Sequence, residues 1–394
     1  MTNGFVFTSE SVTCGHPDKI CDQVSDAIVD HFLMQDPDAM IKAECAVSSG
    51  VMFISSHYAS AATLDISDIA RRTIREIGYP KDVFDAEDCT ILTSLMDHST
   101  TDYMPIDLDG MSDKEIDSII ARQQTSVFGY ACDHTEDLMP LPIWLAHRLA
   151  YRMDEKKVIK KLPYLLPDAE IQVAFEFQNS QPARIHSITL VASQNDNVDI
   201  DRKDLREDLI AKVIEPVLKK EKILSDADTI IHINPGVLRR SGGPAIHSGL
   251  TGRKTGIDTY GGYARTSGAA LSGKDPMRID RAGAYIARYA AKNVVAAGLA
   301  RECEVQLSYS IGSARPVSLR VRTFGSSELD DGAIADRLHE VIDFRPGGIV
   351  RDLGLKKLSA RPEGFYRKLA VYGHMGRAKL DVPWESTDMA QKLK

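Results

Sequence analysis

Strand-like runs follow one another directly between amphipathic stretches, and that order limits the folds open to this chain. Helical spacing of apolar residues is clearest at 17–34, 66–78, 141–153, 201–219, 280–298 and 329–341. Strand-like runs occupy 43–56, 171–177, 185–193, 228–234 and 303–312, and in 317–324 Val317, Leu319, Val321 and Thr323 fall on one face. Because strands often succeed each other with no helix between, a doubly wound parallel sheet fits poorly. The pattern predicts an α+β fold, with antiparallel sheets carrying helices on one face. At 394 residues the chain exceeds one small core, so two or three domains are expected.

Composition narrows the function classes. A net charge of −8 argues against a general nucleic-acid binder, so local basic clusters matter more than the total. The start, "MTNGFVFTSES", lacks the basic and apolar regions of a secretory signal, and no run approaches the ~18 apolar residues of a membrane span. The cysteines at 14, 21, 45, 89, 132 and 303 form no C-x-x-C pair and read as free thiols. The expected setting is cytoplasmic, without membrane or nucleic-acid partners.

Two stretches break the regular pattern. Residues 98–112 are polar with proline and glycine, and Ser112 and Glu115 then form a capping-box pair that opens a short helix. Residues 235–275 are dense in glycine, and a loop-rich segment of that length inside a folded chain is usually functional or disordered.

The chemistry gathers in two places. "GHPDKICDQ" (15–23) sets His16, Asp18 and Lys19 at the start of a helix, with Pro17 suited to its first position. Capping and a solvated first turn would be the ordinary reading. The glycine-rich stretch holds "GLTGRKTGIDTYGG" (249–262) and "GAALSGKDPMRIDR" (268–281), with Arg253, Lys254, Lys274, Arg278 and Arg281 beside Asp258, Asp275 and Asp280. Glycine-rich backbone with cations suits polyphosphate, and carboxylates nearby suit Mg²⁺. Residues 268–274 spell the start of a P-loop, but Asp275 stands where Ser or Thr should hold Mg²⁺, and no hydrophobic strand precedes it.

Taken together, "FTSESVTCGHPDKICDQVSDAIVD" (7–30), "GLTGRK" with "DTYGG" (249–262), "SGKDPMRIDRAGAYIARYAAKNVVAAGLA" (272–300) and "YGHMGR" (372–377) closely resemble the methionine adenosyltransferases, or S-adenosylmethionine synthetases. The resemblance is colinear over nearly the whole chain. It implies three pseudo-threefold-related α+β domains, here 1–101, 113–232 and 233–394, the last with the phosphate loops. It also implies a homodimer or dimer of dimers with shared active sites. The implied reaction joins a thioether sulfur to C5′ of ATP, displaces triphosphate and splits it into pyrophosphate and phosphate. By position, His16 matches the catalytic histidine, Asp18 and Asp280 the Mg²⁺ carboxylates, and Glu44 a K⁺ ligand. Lys19, Arg253, Lys254, Lys274 and Arg278 match the phosphate-binding cations, with Lys19, Arg253 and Lys274 counted with His16 as catalytic. Asp168 falls among the nucleotide contacts, Ala270 in the nucleotide loop and Ile311 on a hydrophobic wall. Residues 98–123 correspond to a mobile loop over the site.

The acceptor half departs from the family. His57 stands where the family has Glu, His98 where it has Gln, and Gln123 and His247 where it has Asp. Arg239 replaces an adenine-stacking Phe, Leu238 an Arg, and Glu170 an ATP-contacting Lys. An ammonium needs carboxylate or carbonyl partners in a site that excludes water, so this pocket favours an anion. Three readings follow: a synthetase that keeps methionine, an adenosyltransferase for an amine-free or more acidic thioether, and a non-catalytic nucleotide-binding paralogue. Should His57, His98 and His247 converge, they could bind a transition metal, though polar pocket-lining is the plainer role. His134, His147 and Trp144 read as structural.

Overall fold

The computed structural model describes residues 4–394 apart from 196, 199, 222, 224 and 237–240. β1 (Gly4–Val12) leads into α1 (Pro17–Gln35), β2 (Met40–Ser48), β3 (Val51–Ala59), α2 (Ile66–Ile77) and β4 (Thr90–Asp97). After the one-turn α3 (Asp113–Ile116) come β5 (Thr125–Cys132), α4 (Leu141–Met153), α5 (Lys156–Ile159), β6 (Leu165–Gln178) and β7 (Gln181–Gln194). α6 (Arg202–Leu209) runs through a π turn into α7 (Glu215–Lys220), followed by β8 (Ile230–Ile233). The glycine-rich stretch contributes a 3₁₀ turn, β9 (Gly249–Leu250) and α8 (Thr255–Asp258). Then follow α9 (Ile279–Ala296), β10 (Glu302–Tyr309), β11 (Ser318–Arg322) and α10 (Asp331–Val341), before short helical turns close the chain.

The strands form three sheets, ordered β1-β6-β7-β8, β4-β3-β2-β9 and β11-β10-β5. α4 packs on the first, α1 on the second and α9 on the third. Two pairs are parallel, β3 with β4 and β7 with β8, so the expectation of antiparallel sheets needs correcting for these two pairs. The reason is connectivity: each parallel pair brackets a helical crossover, as parallel pairing requires. The 43–56 run, read as one strand, is a hairpin turning at Ser49 and Gly50. No sheet is built from one contiguous stretch, because β1, β5 and β9 each pair far from their sequence neighbours. The capping box at Ser112 and Glu115 forms as expected, with the Ser112 N–H donating to Glu115 Oε2 at 2.7 Å.

α1 is buried almost all round. Ile20, Val24 and Ile28 join the core, while Asp18, Asp22, Asp26 and Asp30, spaced four apart, are also buried. Such spacing aligns side chains along one helix face. A buried carboxylate is costly unless paired or hydrogen-bonded, and each of these accepts backbone N–H groups from a distant loop. Asp18 accepts from Leu250 at 3.0 Å, Asp22 from Gly252 at 2.8 Å, Asp26 from Gly273 at 2.8 Å, and Asp30 from Tyr366 at 2.8 Å. This row of acids, which sequence reading passed over, fixes the glycine-rich loops and the turn at 366–367 against the helix.

Candidate active site

The first site cluster forms at the N-terminus of α1. Beyond β1 the chain lies along residues 167–169: Thr13 N–H donates to the Ala169 carbonyl at 3.0 Å and Gly15 N–H to the Pro167 carbonyl at 3.1 Å. A Cβ at Gly15 would stand 2.4 Å from that of Pro167, so only glycine permits this approach. His16 therefore arrives beside Asp168. Its Nδ1 accepts the Asp18 N–H at 3.2 Å, capping α1. From the other side comes β9, so close that a Cβ on Gly249 would lie 2.0 Å from the Pro17 carbonyl oxygen. That contact delivers Arg253, whose Nε donates to Asp18 Oδ1 at 2.8 Å. Lys254 follows, 3.8 Å from Glu10. A cleft of 430 Å³ lined by Glu10, Gln172, Arg253, Lys254 and Gly262 opens here.

Burial pushes the His16 pKa down to about 4, against the pull of Asp168 and Asp18. Its imidazole is thus neutral, and with Nδ1 accepting, Nε2 carries the hydrogen. Nε2 lies 3.9 Å from Glu170 Oε1. The His247 ring stands 4.9 Å from that of His16, and its Nε2 donates to Asp168 Oδ2 at 3.0 Å. Burial would raise the Asp168 carboxyl, but His247 and the Gly243 N–H outweigh it and hold it below its usual value.

A second cluster forms at the N-terminus of α9. Lys274 Nζ donates to Asp280 Oδ2 at 2.6 Å, Gln123 Nε2 donates to the same oxygen, and Arg278 donates to Gln123 Oε1 at 3.1 Å. Burial lowers Lys274 below the usual lysine range in spite of Asp280. Gly312 N–H bonds the Ala121 carbonyl at 2.9 Å and Ala121 N–H the Ser313 carbonyl at 2.8 Å, tying the Ile311 turn to the Gln123 segment. Lys274 also bridges to Lys42 of β2, where Lys42 Nζ sits 3.0 Å from Glu44. His57 is the β3 partner of Lys42, and its ring stacks 5.9 Å from that of His98. Ala270 packs against Gly252, between the two loops.

Several sequence expectations need correcting. Lys19 does not face a ligand: it is fully buried, held by Asp22 at 2.9 Å and by Asp258. Burial opposes its charge, but the two carboxylates prevail and raise its pKa. Asp258 is thus a structural partner, as is Asp275, which accepts the Ile41 N–H at 2.9 Å. Arg281 pairs with buried Asp26 and donates to the Leu271 carbonyl at 2.7 Å. Within one chain the three histidines do not converge, since His247 keeps company with His16 and Asp168 while His57 and His98 form a separate pair. Arg239 and Leu238 lie outside the described residues. His147 is buried within α4 and bonded to Ser11 Oγ at 2.8 Å, and Trp144 donates to Asp137 at 2.7 Å, both structural as expected.

The chain matches family models for the N-terminal, central and C-terminal domains of S-adenosylmethionine synthetase over residues 4–100, 118–237 and 241–386. It is 41% identical to the S-adenosylmethionine synthase of Trichodesmium erythraeum, covering 100% of this chain and 97% of the relative. It is 43% identical to that of Microcystis aeruginosa, covering 100% and 98%. Three matched domains in colinear order, with a histidine-capped helix meeting a cationic glycine-rich loop, make this chain a member of the S-adenosylmethionine synthetase family and an enzyme of the methionine adenosyltransferase type.

Proposed function

We propose that the chain joins the sulfur of L-methionine to C5′ of ATP, releases triphosphate and hydrolyses it to pyrophosphate and phosphate. The observation that carries this reading is the Arg253–Asp18 contact, which sets the loop cations beside a neutral, capped His16. A leaving triphosphate builds negative charge, and donors already fixed where that charge develops lower the barrier. In this reading His16 Nε2–H donates to the oxygen between C5′ and the α-phosphate. Arg253 and Lys254 hold the phosphates from one cluster, Lys274 and Arg278 from the other. Asp168, Glu170, Ala270 and Arg239 are assigned to the nucleotide.

The donor set at Asp18 suits Mg²⁺, because Asp18 Oδ2 is a hard oxygen, buried and without a hydrogen-bond partner. Bound there, Mg²⁺ would neutralise phosphate charge. Asp280 is a weaker candidate, since Lys274 and Gln123 already share its Oδ2. Glu44 fits K⁺ poorly on this chain alone, because Lys42 already neutralises it.

Among the described residues no hydrogen bond or ion pair joins His16, Asp18, Asp168, Arg253 or Lys254 directly to Gln123, Lys274, Arg278 or Asp280, although Asp26 of α1 holds Gly273 and Arg281. The acceptor candidates His57, Gln123 and Ile311 belong with the second group. We therefore propose a homodimer, or a dimer of dimers, in which each site combines one protomer's α1 cluster with its partner's α9 cluster. Support comes from the outer face of the β4-β3-β2-β9 sheet, where Val51, Phe53, Leu92, Met96 and Leu250 are exposed beside Glu44 and His57. A second reading gives the site an amine-free or more acidic thioether. It is favoured by the His57–His98 stack and by Gln123, whose amide is spent on Asp280 and Arg278, so these positions offer an ammonium no carboxylate of their own.

The deciding experiment supplies ATP, Mg²⁺ and K⁺ with either methionine or its amine-free thioether acid, followed by mass spectrometry. S-adenosylmethionine formed at ordinary turnover supports the first reading. Adenosylation of the amine-free acid alone supports the second. ATP binding without triphosphate release for either acceptor overturns both.

A further inference from the structure

We propose that His16, Asp168 and His247 form a binding site for a divalent transition metal, separate in kind from any Mg²⁺ bound with ATP. One ligating atom from each residue lies within 4.8 Å of the others, two ring nitrogens and one carboxylate oxygen. Two imidazoles with one carboxylate suit Zn²⁺ or Co²⁺, whereas Mg²⁺ takes oxygen ligands.

One edge of the triangle already has the spacing an ion needs, and His16 has to turn in to complete it. His247 Nε2 donates its proton to Asp168 Oδ2 across 3.0 Å. Two ligands of a tetrahedral Zn²⁺ at ~2.0–2.1 Å lie about 3.3 Å apart, so an ion replaces that proton almost in place. Asp168 is buried, and its other oxygen, Oδ1, has no hydrogen-bond partner. The surroundings also orient the His16 ring. Whichever nitrogen ligates, the other faces a carboxylate: Asp18 Oδ2 is 3.7 Å from Nδ1, and Glu170 Oε1 is 3.9 Å from Nε2. A carboxylate behind a ligating imidazole fixes its tautomer and raises its basicity. Asp18 Oδ2, buried and unpaired, is placed to take an Nδ1 proton once the ring gives up its cap to the Asp18 N–H.

Three protein ligands leave the fourth position of a tetrahedral ion open to water. The ligands must be free of protons to bind, so occupancy releases protons and weakens at acid pH. Occupancy also removes His16 from the reacting oxygen, making this metal an inhibitor of turnover. Of the three ligands, His247 is the most exposed and gives the ion its way in.

The test titrates Co²⁺ into the EDTA-treated full-length protein in excess Mg²⁺, reading d–d absorption, with displacement by Zn²⁺. The expected result is one Co²⁺ per chain with a tetrahedral spectrum that excess Mg²⁺ does not remove. His247→Ala and Asp168→Asn, each checked for a retained circular dichroism spectrum, should weaken binding at least ~10-fold, and His57→Ala should leave it unchanged. Absence of Co²⁺ binding overturns the proposal. So does binding that survives both ligand variants, or binding that falls with His57→Ala, which would put the ion on the His57–His98 pair. None of these readouts depends on turnover, so they separate this site from the proposed reaction.

Discussion

Lys19 donates to Asp22 at 2.9 Å within α1, with both side chains out of water, and its other side-chain contact is Asp258, 239 residues further along the chain. The Asp22 carboxylate in turn accepts the Gly252 N–H at 2.8 Å, one residue before Arg253. Lys19 thus acts on the site by holding the loop that carries its cations.

Removing one member of a buried ion cluster leaves uncompensated charge and costs about 3–5 kcal/mol. Lys19→Ala should therefore unfold at markedly lower urea concentration, while Lys254→Ala, at a partly exposed position, should keep its unfolding free energy within about 1 kcal/mol of wild type. Equilibrium urea unfolding checks both. Unchanged stability in Lys19→Ala would return the lysine to the ligand-facing role.

Asp18→Asn keeps an oxygen for the Leu250 N–H and removes the charge that Arg253 and Mg²⁺ would share. Turnover should drop about 10²- to 10³-fold, and the dependence on Mg²⁺ concentration should shift to higher values. Phosphate release measured across a Mg²⁺ titration tests this. A variant with the wild-type Mg²⁺ response would exclude Asp18 as a ligand.

His16 should not titrate near 6.5. Its folded pKa of about 4 lies below the unfolded value, so its contribution to stability is fully present above pH 6.5 and is lost as pH falls towards 4. In that window each pH unit costs up to about 1.4 kcal/mol, because the unfolded chain takes a proton that the folded one refuses. His147, lowered to about 3 by burial, adds the same sign. Asp30 and Asp154, raised to about 6 chiefly by burial, act oppositely, their contribution fading as pH rises from about 4 to 6. Ring ¹⁵N shifts between pH 5.5 and 8, a window that starts about 1.5 units above that pKa, should show His16 protonated at Nε2 alone. A titration midpoint near 6.5 would contradict the buried, capping geometry.

The helices were legible because their apolar spacing is local: 17–34, 141–153 and 280–298 anticipate α1, α4 and α9 almost to the residue. β1, β4 and β5 escaped notice for different reasons. β4 is exposed along most of its length, so no alternation marks it. β1 is mostly exposed except towards its end and finds its partner only in β6, far along the chain. The site was legible as residue types and not as partners. "HPDK" announces chemistry, yet whether Lys19 faces solvent or Asp258 is decided across 239 residues. The same holds for Asp18, Asp22, Asp26 and Asp30. Their spacing is plain in the sequence, but the loop amides that make it meaningful are invisible without the fold.

The outer sheet face supplies the last prediction. Ala46, Phe53, Leu92 and Leu250 align across four adjacent strands by register, with Val51 on the next row and Met96 two rows away on the other side. A stable dimer buries roughly 800 Å² per partner around an apolar centre, and Phe53 sits at the centre of this face. A glutamate there meets its own copy across a two-fold axis, adding like charges to lost apolar burial. Phe53→Glu should therefore sediment as a monomer at concentrations where the wild type is a dimer or larger. It should bind ATP more weakly, through the α1 cluster alone, and lose transfer, because the α9 cluster then has no partner to serve. Sedimentation velocity and ATP titration separate these effects. A wild type that sediments as a monomer, or a monomeric Phe53→Glu that turns over normally, would mean that one chain assembles the whole site.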